Sequence, residues 1–206
     1  MLFEALLWYA NPMRHILIIL GHPNTESYCG AIAHSYSEAA KAAGAQVESV
    51  ALARLQFDLI LHKGYTAIQE LEPDLIHLQN AIQAADHIVF IFPTWWGDVP
   101  ALMKGAIDRV ILPGFGFKYR KGLPRWDKLL AGKSARIVTT MDAPSWYYHL
   151  VYRSPGTNML KRALLHFCGI RPVRTTYIDR LRGRSDVWRR KALERIAAIA
   201  RKESRM

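Results

Sequence analysis

Residues 15–24 read His-Ile-Leu-Ile-Ile-Leu-Gly-His-Pro-Asn. The unbroken apolar run after His15 predicts a strand that is buried on both faces of a sheet. Gly21 and Pro23 end this strand, because both residues are typical of turns. A second run of the same kind, from His87 to Phe92, ends at Pro93. Strands buried on both faces are typical of parallel sheets that helices cover on both sides.

Segments with helical spacing alternate with such strands along the whole chain. The predicted strands are 15–20, 46–51, 87–92, 135–141 and 173–179, and the predicted helices are 28–43, 74–84, 100–111, 158–167 and 185–202. This alternation predicts an α/β fold, a three-layer sandwich with a parallel sheet between helices. Five strands favour the flavodoxin-like order 2-1-3-4-5 over the Rossmann order, which usually has six strands.

The chain has 206 residues, half of them hydrophobic, and a net charge of +11. This length suits one domain, predicted over residues 13–206, while the apolar residues 1–12 are interpreted as an N-terminal arm or an upstream-start extension. Two cysteines without a Cys/His cluster argue against a disulfide scaffold and against a metal site. No segment is apolar over the length that a bilayer requires, so we expect a cytoplasmic protein with no integral membrane segment.

The loop after the first strand carries hydroxyl and imidazole donors where a parallel sheet binds its ligand. It contains neither G-x-G-x-x-G nor G-x-x-x-x-G-K-[ST], which argues against a Rossmann dinucleotide turn and a P-loop. His22, Thr25 and Ser27 instead precede a predicted helix, whose free N–H groups can hold a phosphate. The alternative is that Thr25 or Ser27 only caps the helix.

Two adjacent tryptophans, Trp95 and Trp96, follow the strand that ends at Pro93. Such a pair at the carboxyl end of a strand is typical of a wall against a flat aromatic cofactor. The alternative is that the pair closes the layer between helix and sheet. The fourth predicted strand likewise ends in hydroxyl residues at 139–140 and is followed by aromatic residues at 146–148. Three neighbouring loops therefore offer what a flavin mononucleotide moiety requires: a phosphate site, a stacking wall and polar groups for the ring edge.

Four stretches of the chain closely resemble the flavodoxin-fold NAD(P)H:quinone oxidoreductases, the family of DT-diaphorases and bacterial quinone reductases. They are Gly21–Tyr28, Gln83–Asp86, Phe92–Val110 and Leu165–Gly169. The resemblance extends from Met13 to Lys202. It implies a homodimer with FAD, or else FMN, bound at the sheet edge, NADPH or NADH as hydride donor, and a quinone-like acceptor.

The resemblance also implies roles for individual residues. The phosphate and ribityl contacts are His22, Ser27, Tyr28 and Cys29. The flavin wall consists of Pro93, Thr94, Trp95 and Trp96, of which Trp96 also faces the substrate. The pyrimidine-edge contacts are Thr140, Met141, Asp142 and Tyr147. Phe117 and Tyr119 correspond to aromatic residues that one subunit lends to the substrate pocket of the other.

The sequence departs from the family pattern at three places, and each affects the residue roles that the resemblance implies. Met141 and Asp142 stand where the diaphorases have two glycines, and a carboxylate beside a reduced flavin is unfavourable, so we expect Asp142 to point away. Arg153 stands where the diaphorases have a histidine. The segment before Leu71 is shorter than in the diaphorases. This difference leaves open how the adenine end of an FAD would be bound.

The implied reaction is a ping-pong cycle of two-electron transfers in which backbone N–H groups or the Tyr147 hydroxyl stabilise negative charge on the flavin. A thiol such as that of Cys29, in the first turn of a helix, can have a lowered pKa, although a backbone contact is the favoured role here. A flavoprotein electron carrier or an ancillary regulatory subunit of an ion-efflux system is the alternative function. From Arg171 onward, 12 basic residues face 4 acidic ones, yet no nucleic-acid-binding motif accompanies them, so no nucleic-acid partner is expected.

Overall fold

Five parallel strands form the central sheet in a computed structural model, which describes residues 13–206. They are β1 (His15–Leu20), β2 (Gln46–Ala51), β3 (His87–Pro93), β6 (Ser134–Thr140) and β7 (Val173–Ile178). Their spatial order is β2-β1-β3-β6-β7. Counted along the chain within this sheet, that order is the predicted 2-1-3-4-5. The arm predicted for residues 1–12 lies outside the described residues.

Helices cover both faces of this sheet and create two separate apolar cores. The helices are α1 (Tyr28–Ala42), α2 (Pro73–Ala84), α3 (Ala101–Val110), α4 (Ser145–Leu150), α5 (Pro155–Asn158), α6 (His166–Cys168) and α7 (Asp186–Glu203). Alternate residues of β1 enter different cores, since Ile18 packs with α1 and α7, whereas Leu17 and Ile19 pack with α2 and α3. Every residue of β3 and β6 is buried, and for β3 the continuous apolar run predicted this burial.

Two elements of the structure were not predicted from the sequence. A short antiparallel hairpin pairs β4 (Phe117–Tyr119) with β5 (Trp126–Lys128) inside a predicted loop. The six-residue helix α4 follows Pro144. In addition, the helix predicted for 158–167 begins earlier and runs through a π-helical stretch, Met159–Leu165, that joins α5 to α6.

A buried ionic cluster ties the end of α7 to the amino-terminal edge of the sheet. The Glu203 carboxylate accepts hydrogen bonds from Arg136 at 2.7 and 2.8 Å and from the Tyr36 hydroxyl at 2.8 Å. His87 Nε2 lies 3.3 Å from Glu203 Oε2 without hydrogen-bond geometry. Burial alone would raise the pKa of Glu203, but the contacts with His87 and Arg136 lower it to about 2.

This lowered pKa predicts a loss of stability in acid. A carboxyl whose folded pKa lies below its unfolded value stabilises the fold above the unfolded pKa, and that contribution disappears as the pH falls toward the folded one. We expect the free energy of unfolding to fall by roughly 2–3 kcal/mol between pH 5 and pH 2 on account of Glu203. Glu203→Gln should remove this dependence in denaturant titrations, whereas Glu194→Gln, an exposed position of the same helix, should retain it. Equal pH profiles for the two variants would contradict the assignment.

Candidate functional site

The loops after β1, β3 and β6 meet at the carboxyl edge of the sheet. Backbone hydrogen bonds join them directly: Gly21 N donates to Ile91 O at 2.8 Å, and Thr94 N donates to Thr140 O at 2.7 Å. Between the loops lies a cleft of about 200 Å³. Its lining residues are His22, Ser27, Tyr28, Cys29, Pro93, Thr94, Trp95, Thr140, Met141, Asp142 and Leu181.

The first turn of α1 supplies free backbone donors to this cleft. Ser27 caps the helix, since its Oγ accepts a hydrogen bond from Gly30 N at 3.3 Å. A side chain at Gly30 would collide with the Thr25 carbonyl, so the loop packs against the helix only with glycine there. Within residues 13–206, the N–H groups of Tyr28 and Cys29 have no acceptor. Two donors at the positive end of a 15-residue helix therefore face the cleft.

His22 adds a third donor, because its tautomer is fixed. The Asn24 backbone N–H donates to His22 Nδ1 at 2.9 Å, which places the ring proton on Nε2. Partial burial lowers the pKa of His22. The ring is therefore neutral at pH 7, with Nε2–H available as a donor, and its edge packs against Trp95 at 5.7 Å between ring centroids.

The two tryptophans occupy a tight turn. Trp95 and Asp98 exchange backbone hydrogen bonds of 3.0 and 2.9 Å, while Trp96 and Gly97 both have positive φ, 52° and 81°. This combination is typical of a two-residue type I′ turn, which a bulky residue such as Trp96 adopts only at a cost. The Trp96 side chain is fully exposed and Trp95 is about half exposed. The alternative in which both close the helix–sheet layer therefore fails for Trp96.

Hydrogen bonds from two buried residues hold the Trp95–Asp98 turn in place. The Tyr148 hydroxyl donates to the Gly97 carbonyl at 3.2 Å, and Gly156 N donates to the same oxygen at 3.1 Å. A Cβ at Gly156 would lie 2.7 Å from the Asp98 Cα. The segment after β6 thus fixes the position of the turn after β3.

The loop after β6 brings a hydroxyl and a carboxylate to the cleft. Thr140 Oγ1 lies 3.4 Å from Cys29 Sγ. The Asp142 Oδ1 accepts a hydrogen bond from the Arg182 backbone N at 2.9 Å, so the β7–α7 loop holds one oxygen of this carboxylate. Neither Leu181 in the lining nor Arg182 as this partner was identified from the sequence, because both lie in the β7–α7 loop, where no motif marks them.

The two cysteines are not activated thiols. Burial raises the pKa of Cys29 to about 11, and it does the same for Cys168. The position of Cys29 in the first turn of α1 therefore does not lower its pKa, because burial of the side chain outweighs the effect of the helix N-terminus. Cys168 is a core residue.

Five predicted residues lie outside the lining of the cleft. They are Thr25, Trp96, Phe117, Tyr119 and Tyr147. Tyr147 lies in α4 next to Tyr148, which holds the Trp95–Asp98 turn; it is partly buried, with its ring edge against Tyr152 at 5.1 Å.

The prediction for Phe117 needs correction. Its ring is 8% exposed and packs against Phe167 in the core of its own chain, so it is not available to a second subunit. Tyr119, two residues further along β4, is 65% exposed and keeps the position that the prediction requires. Because side chains alternate along a strand, Phe117 and Tyr119 lie on the same face of β4. Their rings meet edge-on at 5.2 Å, and one ring is buried while the other is exposed.

Comparisons with known proteins agree with this architecture. The family model described as "Flavodoxin-like fold" matches residues 14–200. A solved structure, Smu.1420 from Streptococcus mutans UA159, is 30% identical with a TM-score of 0.77 and covers 91% of this chain and 99% of that one. The ribosyldihydronicotinamide dehydrogenase [quinone] of Pongo abelii is 33% identical over 53% of this chain and 48% of that protein. The NAD(P)H dehydrogenase [quinone] 1 of Rattus norvegicus is 29% identical over 76% and 65%. The chain thus spans about half to two thirds of the length of these two relatives.

The exposure of Trp96 gives a direct test of its role. Trp96→Ala should change the free energy of unfolding by less than about 0.5 kcal/mol, since the ring is fully exposed. Trp96→Gly should be about 1 kcal/mol more stable than Trp96→Ala, because glycine adopts positive φ without strain. Both variants should weaken binding of an aromatic ligand about tenfold.

Trp126→Ala is the matched control for this test. Trp126 is partly buried, stacks on Phe167 and donates from Nε1 to the Phe167 carbonyl at 2.9 Å, so its truncation should cost about 3 kcal/mol. Melting temperatures and ligand affinities measured on the same samples decide the matter. A loss of stability in Trp96→Ala equal to that in Trp126→Ala would show that Trp96 is a packing residue.

Proposed function

The chain belongs to the family of proteins with a flavodoxin-like fold, and from that premise we propose that it is a flavin-dependent NAD(P)H oxidoreductase that reduces quinones or similar flat acceptors. The observation that carries the proposal is the cleft at the carboxyl edge, which combines free N–H donors, an aromatic wall and hydroxyl groups. The names of the two quinone dehydrogenases describe those relatives, and their activity is extended to this chain as part of the proposal.

The donors at α1 fit the phosphate of a flavin. The unpaired N–H groups of Tyr28 and Cys29, the Ser27 hydroxyl and His22 Nε2–H converge on one end of the cleft. A helix N-terminus stabilises an anion through both its free N–H groups and its dipole. The Tyr28 hydroxyl itself is committed elsewhere, because it donates to the Arg189 carbonyl at 2.8 Å.

The rest of the cleft fits the flavin ring. Pro93, Thr94 and Trp95 form the wall on which the ring would stack, and Thr140 and Met141 would face its pyrimidine edge. Asp142 also lies in this lining, where the hydrogen bond that its carboxylate accepts from the Arg182 backbone N–H would offset part of its negative charge. When bound, the flavin supplies hydride acceptance from NAD(P)H and two-electron transfer to the acceptor.

Tyr147 is the residue that we propose as catalytic. Its position in α4, fixed by edge contacts with Trp146 and Tyr152, would let the hydroxyl donate a hydrogen bond to the pyrimidine carbonyl of the ring. Such a donor stabilises charge that develops during the reaction more than it stabilises the resting state. Trp96 and Tyr119 would contact the substrate. FAD is the proposed cofactor, with FMN as the alternative.

A homodimer is the proposed assembly. The hairpin β4–β5 exposes Tyr119 and Leu123, and the loop before α2 exposes Ile60, Tyr65 and Ile68. Apolar surface of this extent is typical of an interaction site rather than of a monomer surface. In the proposed dimer, Tyr119 reaches the substrate pocket of the partner, a role that Phe117 cannot fill.

We propose a cytoplasmic location because both cysteines are free thiols, as is usual in a reducing compartment. Among the helices of residues 13–206, none combines the length and the apolar character needed to cross a bilayer. The alternative function is a flavoprotein electron carrier or an ancillary regulatory subunit of an ion-efflux system. Repeated turnover distinguishes an enzyme from either alternative.

The purified protein is expected to be yellow, with a flavin absorption that NADPH or NADH bleaches in the absence of oxygen and that a quinone restores. Tyr147→Phe should lower kcat by about tenfold to a hundredfold while flavin occupancy is retained. Mass spectrometry of the released cofactor separates FAD from FMN. A colourless protein that takes up neither flavin would refute the proposal, and a single reduction without turnover would favour the carrier.

Sedimentation tests the proposed assembly. We expect a dimer at assay concentrations, and Tyr119→Ala should lower kcat/KM for the quinone while the melting temperature stays unchanged, because the ring is exposed within its own chain. The flavin spectrum serves as the control that the cleft is intact. A fully active monomer would contradict the dimer.

A further inference from the structure

A second concave site lies beside the edge strand β7. It is a groove of about 690 Å³ between α4, the helical segment 155–168 and β7. Five of its ten lining residues are basic and none is acidic: the basic ones are His149, Arg153, Lys161, Arg162 and His166. We refer to it as the basic groove. None of these residues was assigned a function from the sequence.

Within residues 13–206, no acidic side chain neutralises the arginines and the lysine of the basic groove. In the described residues, none of the ion pairs includes Arg153, Lys161 or Arg162. Burial, followed by the field of four nearby cations that include Lys161 and Arg162, lowers the pKa of His166. Uncompensated cations around one concavity favour an anionic ligand, which would relieve their mutual repulsion.

The floor of the basic groove provides hydroxyl groups as well as charge. Ser154 and Thr157 are both buried. Ser154 Oγ lies 2.6 Å from His149 Nδ1, and Thr157 Oγ1 lies 3.2 Å from the Tyr177 hydroxyl. These hydroxyls are held by hydrogen bonds within the protein, including one from Thr157 Oγ1 to the Ser154 carbonyl, so the guanidinium and ammonium groups are the donors that match the oxygens of a phosphate.

The basic groove adjoins the wall of the cleft. The residues that follow Ser154 support the tryptophan turn, because Gly156 N donates to the Gly97 carbonyl at 3.1 Å. Arg153 directly follows Tyr152, whose ring contacts Tyr147. One short segment therefore has the basic groove on one side and the Trp95–Asp98 turn on the other.

We propose that the basic groove binds an anion that carries a phosphomonoester. Two sources offer this chemistry: the 2′-phosphate of NADPH, held while its nicotinamide occupies the cleft, and a free phosphorylated molecule. The first source rests on the proposed function, whereas phosphomonoester binding does not. If NADPH is the source, the groove is the feature that makes the protein prefer NADPH to NADH.

Two matched double variants test this proposal. Lys161→Gln/Arg162→Gln removes two charges from neighbouring helical positions in the groove. Arg201→Gln/Lys202→Gln removes two charges from neighbouring exposed positions in the last turn of α7. Calorimetric titration of the protein as isolated uses 2′-AMP and inorganic phosphate as probes, with adenosine as the uncharged control. Steady-state kcat/KM is then measured for NADPH and NADH.

We expect the groove variant to bind 2′-AMP at least about tenfold more weakly than the wild type and the α7 variant, with adenosine unaffected. A matching loss of kcat/KM for NADPH, with NADH unchanged, identifies the donor as the source. Weaker 2′-AMP and phosphate binding with both turnovers unchanged identifies a free phosphorylated molecule.

Equal 2′-AMP binding by both double variants, or no binding by the wild type, overturns the proposal. Absence of any NAD(P)H oxidation would refute the proposed function alone, because the titrations report on the groove without turnover.

Discussion

Strand β3 is paired on both sides, with β1 and with β6, and all three strands run in the same direction. Their register brings the strand ends to one level, since Leu20 lies opposite Ile91 and Pro93 lies opposite Thr140. The chain leaves the sheet at this level after each of the three strands, because consecutive parallel strands are joined by connections outside the sheet. The cleft is therefore a consequence of strand pairing, and its chemistry depends on which residues follow each strand.

Much of the fold could be predicted because continuous apolar runs and helical spacing are strong signals. The hairpin β4–β5 was not predicted, since its strands have three residues each and Lys118 and Asp127 interrupt any apolar pattern. Helix α4 was missed for a similar reason, as six residues carry too little periodicity. The burial of Glu203 was also invisible, because a glutamate near the end of a basic helix normally remains in solvent and only its tertiary partners explain its position.

In the site, the sequence identified most of the lining of the cleft, because those residues follow predicted strand ends directly. It could not show that Trp96 projects into solvent, which depends on the positive φ values of the turn. It also could not show that Phe117 turns into its own core, because the face of so short a strand is set by packing against Phe167. The basic groove joins α4 and α5–α6 to β7 and has no linear motif.

The proposed flavin site depends on the first turn of α1, whose donors would hold the phosphate of the cofactor. The most direct measurement compares the affinities of the flavin-free protein for FMN and for riboflavin, which differ only by that phosphate, through quenching of flavin fluorescence. If the N–H groups of Tyr28 and Cys29 and the ring of His22 hold the phosphate, FMN should bind at least about tenfold more tightly than riboflavin. Equal affinities would show that the donors at α1 do not contact the cofactor.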